Sequence, residues 1–439
     1  MSARGSINGV PRPPLPRSLR GIAVLLLVAA VAGACGSQAG IPGIEVAEGH
    51  AARPNVSAED AAQAAGKIDA FGLDLYRQTA AAGNAVMSPA SVALALAMAR
   101  AGARGDTATQ MDAVLHGFGS DSSANGVNSL QQALAAVNGT FTDAKGEKHE
   151  LTLRIANAPF AQRGMTVEPA YLDALSARFG AGIRLVDYET NAEAARLLIN
   201  RWVSDQTEKR IPELLAQGTI DAYTRLALVN AVYLKAPWQN PFDAAATHDA
   251  TFTRPDGSQV QVPTMHATIE EASYAAGSDW QAVELPYAGG SLAMTIVVPT
   301  DLATFDPTFD ADTFAQITGA LRTRPVELAL PKFKIETKID LAAVLARMGM
   351  TSAFDRSAAD FSGITAAEQL YISAVVHQAN IDVDEKGTEA AAATVVVVTL
   401  GSAPGTPVTL NVDRPFIFAV RDTGTGAVLF LGRVADPSS

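Results

Sequence analysis

Residues 380–407 read NIDVDEKGTEAAAATVVVVTLGSAPGTP, and this stretch joins structural signals that do not fit together. Asn380–Asp384 alternates apolar and polar side chains as a strand does, and Thr394–Leu400 is β-branched and strongly strand-forming. The glycines and prolines from Gly401 to Pro407 exclude regular structure. Because no hairpin partner follows Thr394–Leu400, the sequence predicts a latent strand, held outside a sheet that it is able to join.

The two faces of this latent strand differ in what they could contact. One face is small enough to enter a packed sheet without overpacking it, and on the other face Glu389 would meet water. Insertion of about ten residues adds on the order of ten hydrogen bonds at ~0.5–1.5 kcal/mol each, which rivals the ~5–15 kcal/mol stability of a whole domain. An ordinary surface loop would leave four consecutive valines outside a core as an aggregation hazard. The first face consists of Thr388, Ala390, Ala392, Thr394 and Val396, and the second of Glu389, Ala391, Ala393 and Val395.

Composition narrows the class of protein. The 439 residues are 48% hydrophobic and 18% charged, which is enough apolar material for a large core and excludes wholesale disorder. The formal net charge of −12 argues against nucleic-acid binding, which needs a basic face. A single cysteine, Cys35, excludes an intramolecular disulfide framework and a cysteine-rich zinc site, and the six histidines lack metal-ligand spacing. No metal ion or other cofactor is predicted.

The first 34 residues have the features of a signal peptide. Four arginines precede the apolar run Ile22–Ala34, whose 13 residues are too few to span a bilayer but suit a signal-peptide core. Ala32-Gly33-Ala34 followed by Cys35 resembles a bacterial lipobox, in which the cysteine is acylated and anchors the mature chain to the cell envelope. Ala32 stands where that motif usually has leucine, so plain secretion to the extracellular space stays open. No later segment offers 18 consecutive apolar residues, so a lipid anchor is the only membrane contact predicted.

The rest of the chain divides into a tether and one domain. Residues 35–61 are rich in Gly, Pro and Ala and predict a flexible tether, and residues 62–436 predict a single domain. Helices come first, around Ile68–Tyr76, after Ser88-Pro89 up to Gly102, and from a capping box formed by Thr107 and Gln110, and a later helix covers Ala192–Thr207. Helices followed by mostly antiparallel strands indicate an α+β fold. The predicted strands are Leu151–Pro159, Leu226–Leu234, Ala282–Pro286, Ala293–Pro299, Val326–Ile335, Ala374–Asp384, Thr409–Val412, Phe416–Arg421 and Ala427–Val434.

A catalytic role finds little support in the sequence. The P-loop, zinc-protease and nucleophile-elbow motifs are all absent. Ser88, His377 and Asp384 could be assembled on paper into a hydrolase triad, but Ser88 suits a helix cap and His377 lies inside a hydrophobic strand. The sequence therefore predicts that the protein is not an enzyme.

Two motifs carry a resemblance to a known family. EKGTEAAAAT (385–394) resembles the reactive-loop hinge of the inhibitory serpins, and NVDRPFIFAVRDTGTGAVLFLGRV (411–434) resembles their C-terminal signature. The resemblance implies the serpin fold, with helices around a large central mixed or antiparallel sheet, smaller second and third sheets, and an exposed reactive loop at about 385–407. Further matches follow in family order: NAVMSPASVALALAMARAGARGDTATQM (84–111), LRIANAPFAQ (153–162), LVNAVYLKAPWQNPFD (228–243), VELPY (283–287), LPKFKIET (330–337) and DFSGIT (360–365).

The resemblance implies a monomeric inhibitor of serine proteases, with reach to cysteine proteases and no nucleic-acid partner. A serpin acts as a suicide substrate: the protease attacks the loop and forms an acyl-enzyme, and the cleaved loop inserts into the central sheet and distorts the protease before hydrolysis is complete. The native state is then held above its free-energy minimum by kinetics. A non-inhibitory carrier with the same fold is the alternative.

The loop positions follow residue by residue from the resemblance. Hinge length places the scissile bond at Gly401-Ser402, with Leu400-Gly401 and Thr399-Leu400 as alternatives because the loop is about three residues longer than is common. Such residues suit elastase-, subtilisin- or chymotrypsin-like enzymes, and the lack of a nearby Arg or Lys argues against a trypsin-like target. The hinge consists of Glu385, Gly387, Thr388, Glu389, Ala390, Ala391, Ala392 and Ala393.

Two control regions of the family also have counterparts here. Ser88, Ser91, Asn230 and His377 correspond to the shutter, a buried polar cluster beneath the sheet centre, where polar groups need partners as the strands part and close again. The breach, where insertion begins, corresponds to Trp238, Lys332 and Glu385, with an expected Lys332–Glu385 ion pair.

Overall fold

The computed structural model of this protein describes residues 41–79, 83–142, 148–389 and 406–439. The predicted signal peptide, Cys35, Ala390–Ala393 and the three candidate bond residues Leu400, Gly401 and Ser402 lie outside the described residues. Residues Ile41–Ser439 form one compact unit, which contains the predicted domain 62–436.

Helices dominate the first part of the chain, as the sequence predicts. Ser88 is the N-cap of α2 and its side chain accepts a hydrogen bond from the Ser91 amide, with Pro89 in the first turn. The capping box expected at Thr107 and Gln110 is wrong, because α3 begins at Gly105 and the buried Thr107 hydroxyl accepts the Asp360 amide instead. The helices are α1 (Ala58–Thr79), α2 (Pro89–Arg100), α3 (Gly105–Val114), α4 (Ala124–Ala136), α5 (Pro169–Phe179), α6 (Tyr188–Gln206), α7 (Leu302–Phe305), α8 (Ala311–Ala320) and α9 (Ala342–Arg347).

Every predicted strand is present, but one of them is divided. The single strand predicted over Val326–Ile335 is two strands, which Lys332 separates, and each belongs to a different sheet. The strands are β1 (Glu45–Ala47), β2 (Ala85–Met87), β3 (Gly139–Thr142), β4 (Lys148–Gln162), β5 (Ile183–Val186), β6 (Leu226–Pro237), β7 (His248–Thr253), β8 (Gln259–Ala276), β9 (Trp280–Pro286), β10 (Leu292–Pro299), β11 (Arg322–Pro331), β12 (Phe333–Asp340), β13 (Ala374–Asp384), β14 (Gly387–Thr388), β15 (Val408–Asn411), β16 (Phe416–Asp422) and β17 (Val428–Val434). Of these, the sequence missed β1, β2, β3, β5, β7, β8 and β14.

The first sheet is mixed and carries the hinge. Its order is β1-β5-β4-β6-β14-β13-β12, with β3 attached to β4. Most neighbours are antiparallel, but β4 and β5 run parallel, and so do β6 and β13 where they pair directly, with Val229 opposite Val376 at the centre of the pairing. A parallel pair at the centre of a sheet must be buried on both faces, and every residue of the paired segments 227–231 and 374–378 is buried.

The remaining strands form one continuous second sheet of nine strands, not the separate smaller second and third sheets that the resemblance implies. Its order is β15-β11-β8-β9-β10-β16-β17-β2, with β7 on β8. The 18-residue β8 is long enough to pair with β7 and β11 at one end and β9 at the other, and so it joins the two parts. The predicted α+β architecture, with helices around a large mixed sheet, is otherwise confirmed.

The outer face of the first sheet is covered by α6. Ala195, Ile199, Trp202 and Val203 of this helix pack on outward-facing side chains of β4, β6 and β13. The register of β13 places Val376 on this outer face and His377 on the inner one, because successive strand residues alternate. A strand that enters between β6 and β13 must therefore pass beneath α6.

Residues 41–61 are more ordered than a flexible tether. Within them, Glu45–Ala47 pairs antiparallel with β5 at the edge of the first sheet, and α1 already begins at Ala58. The Gly49 amide donates to Ser176 Oγ over 3.1 Å, and Arg53 Nε donates to Asn128 Oδ1 over 2.9 Å. The tether prediction failed over these residues because low periodicity in the sequence does not reveal hydrogen bonds to distant helices.

Candidate functional site

The hinge begins inside the first sheet. Gly387–Thr388 forms β14 between β6 and β13, with Thr388 opposite Ala236 on one side and Val383 on the other. The Thr388 side chain is buried, and its hydroxyl lies 2.7 Å from the Tyr287 hydroxyl. The predicted inward orientation of Thr388 agrees with this position.

Gly387 occupies a position that a larger residue cannot take. Its φ is +146°, in the region that favours glycine. A Cβ atom there would lie 2.2 Å from the Ala236 carbonyl oxygen and 2.7 Å from Pro237 Cα. The close approach of these backbones allows the chain to turn into the sheet directly after Lys386.

Below β14 the two central strands face each other across a slot. Residues 232–235 of β6 pair with β4 on their outer side, and residues 379–382 of β13 pair with β12 on theirs. Among the described residues, neither segment has a ladder partner on its inner side, where only the Glu389 amide reaches the Asp382 carbonyl, over 3.1 Å. Farther down, from Ala231 and Gln378 onwards, the strands close into the parallel pair. The inner edges of these two segments therefore carry backbone groups that can pair with one more strand.

The breach residues hold the turn that precedes β14. Lys332 Nζ lies 2.9 Å from Glu385 Oε2, as expected, and Thr247 Oγ1 donates to Glu385 Oε1 over 2.9 Å. Burial acts to raise the pKa of the Glu385 carboxyl, but the hydrogen bonds from Lys332 and Thr247 hold it below its usual value. The carboxylate is therefore ionised at neutral pH and ties the turn to Lys332, which lies between β11 and β12, and to Thr247, which directly precedes β7.

Trp238 fixes the same turn from the side of β6. Its indole Nε1 donates to the Asp384 carbonyl over 3.0 Å, and its amide donates to the Lys386 carbonyl over 2.8 Å. The indole stacks on the Tyr287 ring with centroids 4.5 Å apart and planes 6° apart. Both rings are buried, so the turn has a rigid support on one side.

Glu389 is the last described residue of the hinge and departs from strand geometry. Its φ is +52°, the left-handed region, which is strained for a residue with a side chain. Its side chain is 10% exposed, so in this state it does not meet water as the sequence suggested. Arg210 Nε lies 3.3 Å from Glu389 Oε2 without hydrogen-bond geometry, and burial raises the pKa of the Glu389 carboxyl.

The four predicted shutter residues meet beneath the closed part of the sheet. The Ser88 amide donates to His377 Nε2 over 3.0 Å, and His377 Nδ1 lies in hydrogen-bond contact with Asn230 Oδ1. Asn230 Nδ2 donates to Ser91 Oγ over 2.6 Å. All four are fully buried, and His377 and Asn230 are direct partners in the β6–β13 register. The cluster therefore links β6 and β13 where they pair directly.

The hydrogen bonds of His377 fix its protonation state. Because Nε2 accepts the Ser88 amide, the neutral ring carries its hydrogen on Nδ1 and donates it to Asn230. Burial lowers the pKa of His377 to about 3. A second proton on Nε2 would place two donors face to face, which opposes protonation further.

The same geometry rules out the hydrolase triad. The Ser88 hydroxyl caps α2, and the contact of Ser88 with His377 is made by the backbone amide. Asp384 lies seven residues along β13 from His377, which at ~3.3 Å per residue is about 23 Å away. The three side chains therefore do not form a charge-relay arrangement.

Sequence reasoning missed four residues that belong to these sites. Asn157 on β4 accepts from Asn230 Nδ2 over 2.6 Å and from Ser91 Oγ over 3.1 Å, which makes it a fifth member of the shutter. Asn157 and Tyr287 lie inside quoted family motifs (153–162 and 283–287), so those motifs held the signal. Thr247 and Arg210 carried no local signal, because only the tertiary structure brings them to Glu385 and Glu389.

Residues 41–79, 83–142, 148–389 and 406–439 contain neither a candidate metal site nor a candidate membrane-spanning helix. This part of the chain has no cluster of three or more His, Cys, Asp or Glu side chains arranged to hold a metal ion. None of its helices combines the length and the apolar character that a bilayer crossing requires.

Comparison with known proteins gives a consistent result. The family model described as serpin (serine protease inhibitor) matches residues 67–437. An uncharacterized serpin-like protein of Thermococcus kodakarensis is 40% identical over 378 residues, which cover 84% of this chain and 85% of the relative. The human leukocyte elastase inhibitor is 33% identical over 385 residues, with 84% and 97% covered.

A solved structure supports the same conclusion. The thermophilic serpin tengpin in its native state superimposes with a TM-score of 0.76 at 26% identity, covering 89% of this chain and 97% of tengpin. With the sheet order, the shutter and the hinge described above, these matches leave one assignment. This chain belongs to the serpin family.

Proposed function

We propose that this protein inhibits serine proteases as a suicide substrate, through cleavage and insertion of the loop at about 385–407. The observation that carries the proposal is the slot between β6 and β13, which the hinge has already begun to fill with Gly387–Thr388. A relative whose name is leukocyte elastase inhibitor supports protease inhibition in general. The protein is proposed to act as a monomer, because one chain holds both the loop and the slot.

The register of β14 indicates where the next hinge residues go after cleavage. Each step along the loop moves one residue back along both β13 and β6, so Ala390 would lie opposite Ile381 and Leu234. Ala392 would likewise lie opposite Ala379 and Val232, which are buried in the core. Alanine fills such positions without overpacking, whereas a larger or charged side chain would not.

The same register couples insertion to the shutter. Continued by two further residues beyond Ala392, it brings Thr394 to the level of His377 and Asn230. The two strands must then move from ~4.8 Å to about twice that separation, which breaks the His377–Asn230 contact. In such an inserted strand the Thr394 hydroxyl would point to the same inner face, and we propose that it takes up the hydrogen-bonding groups that this opening frees.

The proposed targets are elastase-, subtilisin- or chymotrypsin-like proteases. Gly401-Ser402 is the proposed bond for the first two classes, with Thr399-Leu400 as an alternative, and cleavage at Leu400-Gly401 would suit a chymotrypsin-like pocket. Mass spectrometry of the loop after incubation with one enzyme of each class identifies the bond. Trypsin is the negative control, because no Arg or Lys lies near the bond.

The test of inhibition is the formation of a covalent complex that survives SDS. We expect such a complex with at least one of these enzymes, and we expect Ala392→Pro to convert the protein into a substrate that is cleaved without a complex, because proline cannot complete the ladder in the slot. Ala403→Pro, which lies beyond the proposed bond in the part that does not insert, is the matched control. The ratio of inhibitor consumed to protease inhibited should rise for Ala392→Pro and stay near the wild-type ratio for Ala403→Pro.

Cleavage without a complex by every enzyme of the panel would contradict the proposal. In that case a binding or carrier role on the same fold becomes the better explanation, and ligand binding that survives Ala392→Pro would support it. Equal behaviour of the two proline variants would also contradict insertion as the inhibitory step.

We further propose that the protein is exported and held at the cell envelope through acylated Cys35. The support is the sequence alone, in which the only cysteine directly follows the apolar run. Cys35→Ser should shift the protein from the membrane fraction to the soluble fraction, and the intact mass should fall by that of the lipid. An unchanged fractionation and mass would point to plain secretion.

A further inference from the structure

The last described hinge residue makes an ion pair with a segment far away in sequence. Arg210 Nε lies 3.3 Å from Glu389 Oε2, and the carboxylate side chain is 10% exposed while the guanidinium side chain is 54% exposed. Glu389 Oε2 is buried and has no hydrogen-bond partner within the part of the chain that the structure describes. A buried carboxylate oxygen of this kind depends on its ionic partner for stabilisation.

Arg210 itself is held by a strained turn at the end of α6. Glu208 and Lys209, two consecutive residues with side chains, have φ values of +49° and +67°. Left-handed residues of this kind persist only where the surroundings enforce them, and they occur often at functional positions. Asn380 Nδ2 of β13 donates to the Arg210 carbonyl over 3.4 Å, so Arg210 is also tied to the strand beside the slot.

The other charged groups around Glu389 do not offer an equivalent partner. Tyr233 of β6 donates to Glu208 over 3.2 Å, although its uncharged hydroxyl also acts to lower the pKa of Glu389, and Lys334 of β12 lies 3.5 Å from Asp382 of β13. Asp382 raises the pKa of Glu389, whereas Arg210 is the cation with the largest opposing effect. The ion pair with Arg210 is therefore the main electrostatic contact that holds Glu389 beneath the end of α6.

We propose that Arg210 is a positioning residue for the inhibitory reaction: it binds Glu389 and keeps Gly387–Glu389 in the slot before the protease arrives. The native loop is then shorter at its proximal end than it would be with the hinge free. This proposal rests on the inhibitory function proposed above and adds to it a residue outside the loop that controls the loop.

The proposal has two consequences of opposite kind. Release of three residues adds about 10 Å of chain to the exposed loop, so a protease should reach the bond faster. After cleavage, however, insertion has to start from outside the sheet, so more acyl-enzyme hydrolyses before it is trapped. Loss of Arg210 should therefore raise the rate of reaction with protease and also raise the stoichiometry of inhibition.

The first experiment measures hinge accessibility and does not depend on inhibition. A glutamyl endopeptidase that cuts after Glu389 is incubated with the full chain, and mass spectrometry follows the fragment that begins at Ala390. We expect Arg210→Gln to be cut about fivefold faster than the wild type. An ion pair of this exposure shifts the equilibrium between the hinge held in the slot and the released hinge by about that factor. Arg77→Gln, which removes an exposed Arg–Asp pair on α1 away from the sheet, is the matched control and should be cut at the wild-type rate.

The second experiment uses the protease that forms a complex with the wild type. Arg210→Gln should increase the second-order rate constant and the stoichiometry together, and Glu389→Gln should reproduce both changes because it removes the other half of the pair. The combined variant should show no more effect than either single one. Arg210→Lys keeps the charge and should restore part of the wild-type behaviour. A residue with only a structural role would lower stability without this paired change in rate and stoichiometry.

The outcomes separate the two proposals. If the wild type forms no complex with any protease but Arg210→Gln opens the hinge, the inhibitory function is wrong and the ion pair is right. If complexes form, Arg210→Gln leaves the cutting rate after Glu389 unchanged, and neither Arg210→Gln nor Glu389→Gln changes the stoichiometry, the positioning role of Arg210 is wrong. If Arg210→Gln fails to fold, Glu389→Gln gives the same decision from the loop side in the second experiment.

Discussion

At the scale of single residues, the hinge and the shutter each contain a residue that no similar residue can replace. Gly387 turns the chain into the sheet where a Cβ atom has no room, and the His377 ring accepts on one nitrogen and donates from the other. Both residues lie on the path that a strand would take in the proposed insertion. Substitutions at these two positions therefore report on the start of insertion and on the opening of the sheet.

Gly387→Ala should expel β14 from the sheet. The new Cβ would overlap the Ala236 carbonyl and the φ of +146° is unfavourable for alanine, which together cost ~1–3 kcal/mol. We expect a higher stoichiometry of inhibition and a change in the fluorescence of Trp238, which contacts the same turn. Gly66→Ala is the control: it lies in α1 with nothing near its Cβ, and it should raise stability by up to ~1 kcal/mol without altering inhibition. Wild-type inhibition by Gly387→Ala would show that β14 is dispensable.

His377 should make the protein less stable in mild acid. The unfolded chain binds a proton at the ordinary pKa of 6.5, whereas burial holds the folded pKa at about 3, so the unfolded state is favoured as the pH falls between these values. The contribution of His377 to the free energy of unfolding is fully present above pH 6.5. Between pH 6.5 and pH 3 it falls by up to ~1 kcal/mol per pH unit. Urea unfolding at pH 7.5, 6 and 5 measures the slope.

The control for this pH dependence is a pair of substitutions. His377→Gln should lower stability at pH 7.5 but reduce the slope, since the titrating group is gone. The same change at the exposed His50 should leave the slope as it is in the wild type. A slope unaffected by His377→Gln would assign the acid sensitivity to other groups.

At the scale of elements, the edge of the first sheet depends on the segment before α1. β1 covers the edge strand β5, and Ile41 and Ile44 pack against the cluster beneath α6. Arg163 Nη2 also donates to the Gly43 carbonyl over 2.6 Å. This segment thus braces both the sheet and the helix under which a new strand must pass.

Removal of residues up to 57 should destabilise the protein, whereas removal of residues up to 40 should not. The longer deletion removes the β1 ladder and the packing of Ile41 and Ile44, which together contribute on the order of 2–4 kcal/mol. Thermal unfolding of the two truncated proteins provides the comparison. Equal melting temperatures would mean that the contacts of residues 41–57 contribute nothing to stability.

At the scale of the whole molecule, the slot between β6 and β13 makes the native state incomplete. Below β14 the inner edges of β6 and β13 carry backbone hydrogen-bonding groups. Among the described residues, the loop reaches these groups at one point, where the Glu389 amide donates to the Asp382 carbonyl. A new strand between β6 and β13 would form hydrogen bonds with both of them. The existing ladders of β6 with β4 and of β13 with β12 would remain. The intact protein is therefore expected to lie above its most stable form, held there by the uncut loop.

Cleavage in the loop should raise the melting temperature on the order of 10 °C or more. About ten new hydrogen bonds at ~0.5–1.5 kcal/mol each give a gain comparable with the whole stability of a domain, and each kcal/mol shifts the midpoint by a degree or more for a large domain. Calorimetry before and after limited proteolysis measures the shift. Ala392→Pro, cut in the same way, should gain much less.

The sequence predicted much of this fold because the relevant signals are local. Alternation and β-branching placed most strands, and all the shutter and breach residues except His377 lie in the quoted family motifs. The split of Val326–Ile335 into two strands was missed because both halves are apolar and the break at Lys332 depends on the sheet that each half joins. The order of residues 41–57 was missed for a similar reason, since their partners lie on α4, α5 and β5.

By itself, the sequence determined the family, the small side chains of the hinge and the propensity of the loop to form a strand, because side-chain size and backbone preference are properties of each residue. Only the tertiary structure decided how far the loop has entered the sheet, which registers face the slot, and that Arg210 meets Glu389. These depend on hydrogen-bond partners and charges brought together from distant parts of the chain, and their energies exist only once the sheets have formed.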